Sequence, residues 1–293
     1  MRMDGQEESS NVEDVRGRSG GGGGGFGLGG RSIGIGGLAV ALIAGWIFGI
    51  NPLTILGMAD GGGPAVVQQQ SQGPAPAPPA DDPQARFVSQ ILRSTEQVWA
   101  EIFRNAGQTY RPAKLAIFKG SYPTACGQGQ AAMGPFYCPG DQKVYIDLRF
   151  FETMATKLRS SGDFAQAYVI AHEVGHHVQN VMGIMERVDA ARQRGSEAQA
   201  NALSVRVELQ ADCFAGMWAG RSDQSKRWLE PGDIEEGLNA AAQIGDDTLQ
   251  RRSQGMVVPE SFTHGTSAQR VSWFKRGMTA KNVEVCDTFS AGG

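Results

Sequence analysis

Three of the chain's four histidines, His172, His176 and His177, fall within one short run, Tyr-Val-Ile-Ala-His-Glu-Val-Gly-His-His from Tyr168 to His177. The run contains His-Glu-x-x-His, a pattern that carries a mechanism if it lies on a helix. Residues four apart on a helix sit one above the other, so His172 and His176 would aim two imidazoles at one point. Imidazole nitrogens are ordinary ligands of Zn2+. Glu173 is rotated from them by about 100° and can reach a water held there, which makes it the candidate general base. The motif is short, and the competing reading is a set of histidines satisfied within a core.

Catalytic zinc normally has three protein ligands and a water, so a third ligand must come from elsewhere. Ser196-Glu197-Ala198-Gln199 reads as a capping box that opens a second helix. Leu203, Val207, Ala211, Phe214 and Trp218 mark that helix as largely buried. Glu208 and Asp212 share one of its faces, and two carboxylates buried side by side repel each other. A metal resolves the conflict: Glu208 ligates it, and Asp212 accepts a hydrogen bond from the far nitrogen of a ligating histidine. On the alternative reading the pair is solvated and neutralised by Arg206 or another base.

The histidine helix is expected over 163–183. Asp163 with Gln166 resembles a capping box, and Gly183 offers a C-terminal stop. Between them Phe164, Tyr168, Ala171, Val174, Gly175, Val178 and Met182 recur at helical spacing. Upstream, Phe87, Ile91, Val98 and Ile102 predict a helix from Ala85 to Asn105. Strands are expected at Lys114–Phe118 and Val144–Leu148, with a glycine-rich loop between Cys126 and Cys138, then a helix from Arg149 to Arg159. Beyond 163–183, helices are expected over 196–220, 234–246 and 266–278. A few strands followed by many helices imply an α+β domain, mainly helical with a small β-sheet, over residues 85–293.

A net charge of −3 and a sequence pI near 5.9, with no basic stripe, argue against a nucleic-acid partner. Residues 1–32 are polar and glycine-rich. The run Gly20–Gly25 is not followed by Gly-Lys-Ser/Thr, so it reads as part of a disordered tail rather than a phosphate loop. Residues 33–50 carry no charge, and a single transmembrane helix is expected over 33–53. Arg2, Arg16, Arg18 and Arg31 precede it, and no Lys or Arg follows until Arg86. The positive-inside rule then places the N-terminus in the cytoplasm and the folded domain outside, tethered to the cell membrane. A signal peptide cleaved near Gly57-Met58-Ala59 is the rival, disfavoured by the length of the apolar region and of the tail before it. Gly45 and Gly49 form a GxxxG pair through which two spans could weakly dimerise. Residues 54–84, rich in Pro, Gln and Gly, read as an extended linker. Cys126, Cys138, Cys213 and Cys286 contain no C-x-x-C pair. Outside the cytoplasm disulfides are permitted, with Cys126–Cys138 closing a short loop and Cys213–Cys286 left as the second pair. Free buried thiols are the alternative.

His-Glu-x-x-His followed by Glu-x-x-x-Asp on a later helix resembles the gluzincin, thermolysin-like peptidases. The N-terminal anchor, Tyr137-Cys138-Pro139, Tyr145-Ile146-Asp147, AHEVGHHVQ, ELQADCFAG and Phe262-Thr263-His264-Gly265 together resemble a bacterial family of neutral zinc metallopeptidases, over about residues 85–290. The resemblance implies a zincin-like domain that hydrolyses peptide bonds in protein or peptide substrates. It makes His172, His176 and Glu208 the zinc ligands, Glu173 the base that activates the water, and Asp212 the carboxylate behind a histidine. It also implies an edge strand that binds substrate by strand addition, for which Val144–Leu148 is the candidate. Some gluzincins stabilise the oxyanion with a histidine, a role open to His264, whose other reading is local capping of the helix after it. Two rival functions remain: a zinc-binding pseudo-enzyme that engages a partner, and a zinc amidase acting on the cell envelope. The intact Glu173 weighs against the first.

Overall fold

The computed structural model describes residues 1–18, 75–131, 134–158, 160 and 162–290. Its first long element is helix α1, Pro83–Asn105, where Asp82 caps the start by accepting from the backbone N–H of Gln84 and Ala85 at 3.1 and 3.0 Å. Val88, Ile91, Leu92 and Trp99 form its buried stripe.

Four strands make the main sheet. They are β1 (Val12–Asp14), β2 (Lys114–Ile117), β5 (Phe136–Cys138) and β6 (Lys143–Ile146), in the order β1-β2-β6-β5. β1–β2 and β2–β6 are parallel, whereas β5–β6 is antiparallel. Alternate residues point to opposite faces. Leu115, Ile117, Val144 and Ile146 join the main core, while Ala116, Phe118 and Tyr145 join a smaller cluster on the other side. The two remaining strands, β3 (Ser121–Thr124) and β4 (Gly127–Gln130), form a separate hairpin. Cys126, at the turn of that hairpin, is bonded to Cys138 of β5.

The rest is helical: α2 (Arg149–Lys157), α3 (Asp163–Val181), α4 (Ile184–Arg192), α5 (Glu197–Lys226), α6 (Asp233–Gln243), α7 (Asp246–Gln254) and α8 (Ser267–Met278). α5 opens with the expected capping box, Ser196 Oγ accepting from Gln199 N and Gln199 Oε1 from Ser196 N. Helices α3 and α5 meet at Gly175, where a Cβ would lie 3.0 Å from the carbonyl oxygen of Ala211. Helices α5 and α8 approach more closely still: a Cβ on Gly277 would lie 1.9 Å from the carbonyl oxygen of Cys213. A second disulfide, Cys213–Cys286, ties α5 to the C-terminal segment. Both expected cysteine pairs are therefore formed.

Several expectations are corrected. A disordered tail over 1–32 does not hold for residues 1–18. These contribute β1, whose Val12 and the following Val15 are buried on the sheet. The linker over 54–84 likewise ends earlier than expected: Pro76 accepts from Asp14 N at 2.8 Å, and α1 has begun by Pro83. The segment Val144–Leu148 is not an edge strand. β6 is paired on both sides, and Val144, Tyr145 and Ile146 are buried in succession, as an internal strand requires. The edge is β5. No capping box forms at Asp163, since Gly162 takes the N-cap position and no side chain caps the helix. The expected membrane span over 33–53, its Gly45–Gly49 pair and the linker from 54 to 74 lie outside the described residues. Among the described residues no helix is long and apolar enough to cross a membrane.

Candidate metal centre

Helix α3 is buried along most of its length, so its polar residues must be satisfied internally. His172 is fixed from behind by Asp212 of α5: its Nδ1–H donates to Asp212 Oδ1 at 2.9 Å, which leaves Nε2 as the outward-facing nitrogen. His176 is held in the same way by Gln179 of its own helix, at 2.9 Å from Nδ1 to Oε1. Gln179 is oriented in turn because its Nε2 donates to Val207 O and Gln210 Oε1 at 2.8 and 3.0 Å. Glu208 faces both imidazoles, 3.1 Å from His172 Nε2 and 3.5 Å from His176 Nε2. One nitrogen or oxygen from each of His172, His176 and Glu208 lies within 4.8 Å of the others.

The donor set fits a zinc ion. Two imidazole nitrogens and one carboxylate oxygen are the ligands of a catalytic zinc site, and the carboxylates that orient such histidines are part of it. Burial by itself would lower the His172 pKa, yet Asp212 and Glu208 push it up to about 10. Burial would raise Glu208, and the two histidines hold it well below the usual carboxylate range. The pocket is thus built to hold positive charge between these three groups, and a divalent cation satisfies them together.

Asp212 is fully buried and does more than orient His172. Arg270 of α8, itself buried, donates to it from Nε at 2.8 Å and from Nη2 at 3.0 Å. The Tyr168 hydroxyl donates to it at 2.5 Å. Arg270 is the counter-charge that resolves the Glu208–Asp212 conflict from the protein side. Arg206 instead donates to the carbonyl of Phe289 at the surface. Arg270 lies on the helix expected over 266–278, but its partner is 58 residues away and leaves no local signal in the sequence.

Glu173 is buried beside the histidines, and burial raises its pKa against the lowering effect of His176 and His172. Its side chain lines a cavity of about 370 Å³ together with His172, His176, Glu208 and His264. His264 is held by Asp246, the first residue of α7, at 3.2 Å from Nδ1 to Oδ1. Asp246 Oδ2 also accepts from the backbone N–H of Thr263, His264 and Gly265, so the loop carrying His264 is fixed. Burial lowers the His264 pKa, but Asp246 and Glu208 raise it on balance. The N-cap of α8 is Thr266 and not His264. Sequence reading missed Asp246 and Gln179. The latter lies in the quoted motif AHEVGHHVQ, three residues after His176, a spacing at which helical side chains meet.

A His-Glu-x-x-His helix facing a carboxylate on a second helix, beside a sheet edge, has the make-up of a zinc metallopeptidase site. The chain belongs to the family described as "Putative neutral zinc metallopeptidase", whose model matches residues 1–289. It is 52% identical over 292 residues to the uncharacterized protein YpfJ of Escherichia coli (strain K12), covering 99% of both chains. It is also 41% identical over 208 residues to the uncharacterized protein Rv2575 of Mycobacterium tuberculosis (strain ATCC 25618 / H37Rv), covering 68% of each. No solved structure matches it.

Proposed function

We propose that the protein is a zinc-dependent metallopeptidase that hydrolyses peptide bonds in protein or peptide substrates, with His172, His176 and Glu208 holding the metal. The observation that carries this reading is the placement of a buried carboxylate, Glu173, in one cavity with the three candidate ligands. Zinc bound there would polarise a carbonyl and lower the pKa of a water. Glu173, whose pKa burial raises, is suited to take the proton of that water and return it to the leaving amine. His264, held by Asp246 and shifted towards its charged form, is placed to donate to negative charge developing on a carbonyl oxygen.

Substrate would add to β5, the edge strand that borders the cavity. Pro135, Phe136 and Tyr137 line the cavity, and the Tyr137 hydroxyl is tied to α3 through His177 Nδ1 at 3.1 Å and Asn180 Nδ2 at 2.9 Å. An extended peptide gains main-chain hydrogen bonds at such an edge. Phe150, Met154, Leu158, Val169, Ile244 and Leu249 give the cavity an apolar wall suited to a bulky apolar side chain. The two disulfides support an oxidising compartment outside the cytoplasm.

The test is hydrolysis of an unfolded protein substrate by the full chain. Cleavage abolished by a chelator and restored by zinc supports the reading. Cleavage that persists in chelated, zinc-free protein overturns it, as does zinc-loaded protein that cleaves neither proteins nor peptides.

A further inference from the structure

The apolar stretch before the folded domain has the length and lack of charge of a single membrane-crossing helix, which would separate the residues before it from those after it. The fold joins those two sets of residues. β1 pairs in parallel with β2 over Val12↔Leu115, Glu13↔Ala116 and Asp14↔Ile117. The ladder continues on either side, with Leu115 N donating to Asn11 O and Val15 N to Ile117 O, each at 2.9 Å. Ser9 and Asn11 donate to Glu96 of α1 at 2.5 and 2.8 Å. Glu13 receives Lys114 of β2 at 3.2 Å and Lys143 of β6 at 2.6 Å.

The two flanks of the stretch also meet each other. Asp14 N donates to Pro76 O at 2.8 Å, and Arg16 bridges Asp14 and Asp82 at 2.6 and 2.7 Å. The topological arginines consequently have another use. Arg16 is neutralised within the fold, and Arg2 donates to the carbonyl of Arg227 at 2.6 Å. The family match takes in residues 1–18 along with the metal centre.

We propose that residues 1–18 and the metal-binding domain lie on the same side of any membrane the protein meets. A chain whose two flanks are on one side crosses an even number of times. Between Arg31 and Asp60 lie the uncharged residues 32–59. One helical crossing takes about 20 residues and two take about 40, so this stretch is too short to cross twice. This inference does not depend on the peptidase reading, because β1 and its partners lie outside the cavity.

The test is thiol labelling of the full chain in spheroplasts. Among the described residues every native cysteine is in a disulfide. Ser10→Cys and Asn105→Cys each place one thiol at an exposed position, before and after the stretch. A membrane-impermeant maleimide should label both variants to the same extent, whether before or only after permeabilisation. Labelling of one in intact spheroplasts and of the other only after permeabilisation overturns the proposal. A second measurement guards against a Ser10 variant that fails to fold. Glu7 and Arg93 form an exposed ion pair at 3.0 Å. In the double variant Glu7→Cys/Arg93→Cys, a short bismaleimide should yield one linked peptide spanning both positions. Two singly modified peptides with no link overturn the docking of residues 1–18 on which the proposal stands.

Discussion

Asp212 gathers three donors, from His172, Tyr168 and Arg270, on a carboxylate that has no exposure to solvent. Arg270 Nη2 and the Tyr168 hydroxyl are also 3.3 Å apart, so the four side chains form one closed group. Such a group is costly to break from one side. Arg270→Met leaves a buried carboxylate uncompensated, which costs about 3–5 kcal/mol. Denaturant unfolding should show that loss, and an unchanged midpoint would mean that Asp212 finds another counter-charge. Asp212→Asn keeps the size of the side chain but weakens its hold on the His172 Nδ1 proton. Zinc affinity or activity should fall about 10- to 100-fold, read by competition with a zinc indicator. Gln179→Leu should act in the same direction through His176, since Leu cannot accept from Nδ1. Wild-type zinc affinity in both variants would show that histidine orientation does not set metal binding here.

At the scale of elements, the site depends on how closely three helices approach. Gly277 of α8 sits against the backbone of Cys213 on α5, so Gly277→Ala must push the helices apart. Forcing extra volume into a packed contact costs about 1–3 kcal/mol, and at about 2–4 °C per kcal/mol a clear drop in Tm follows. A Tm equal to that of the wild type would contradict the packing described. β1 makes a pH-dependent contact. Burial would raise the Glu13 pKa, but Lys143 and Lys114 lower it below its ordinary value of 4.5. A depressed folded pKa contributes stability above the unfolded pKa and loses it as pH falls through the folded one. β1 should therefore loosen on acidification below about pH 4.5, seen as faster amide exchange at Val12–Asp14, and Glu13→Gln should remove that dependence. The helices around the site were legible in sequence because their signals are local: the spacing of apolar residues, the Ser196–Gln199 capping box and the stop at Gly183. β1 was not, since Val12-Glu13-Asp14 is short and mostly polar and becomes a strand only through β2, about a hundred residues away. Strand order has the same non-local origin, which is why β6 looked like an edge. The short helices α4 and α7 carry few buried residues and left no clear apolar period.

For the molecule as a whole, the sheet and the helices serve one arrangement. Helices α3 and α5 bring His172, His176 and Glu208 to one point, α8 supplies the charge that lets Asp212 stay ionised, and β5 borders the cavity. The histidine motif and the Glu208–Asp212 face were legible because each repeats at about one helical turn. Arg270 and Asp246 were not, because each acts across the tertiary fold. Glu173 moves protons in this scheme whereas His172, His176 and Glu208 hold metal, and that separation can be measured directly. Zinc content and peptide hydrolysis are determined side by side for the full-length wild type, Glu173→Gln and Glu208→Ala. Glu173→Gln should keep its zinc and lose activity by about 10²–10⁴-fold. Glu208→Ala should lose zinc along with activity. A Glu173→Gln protein that loses zinc while Glu208→Ala retains it would contradict the assignment of roles, and variants that all keep both zinc and activity would show that the active site lies elsewhere.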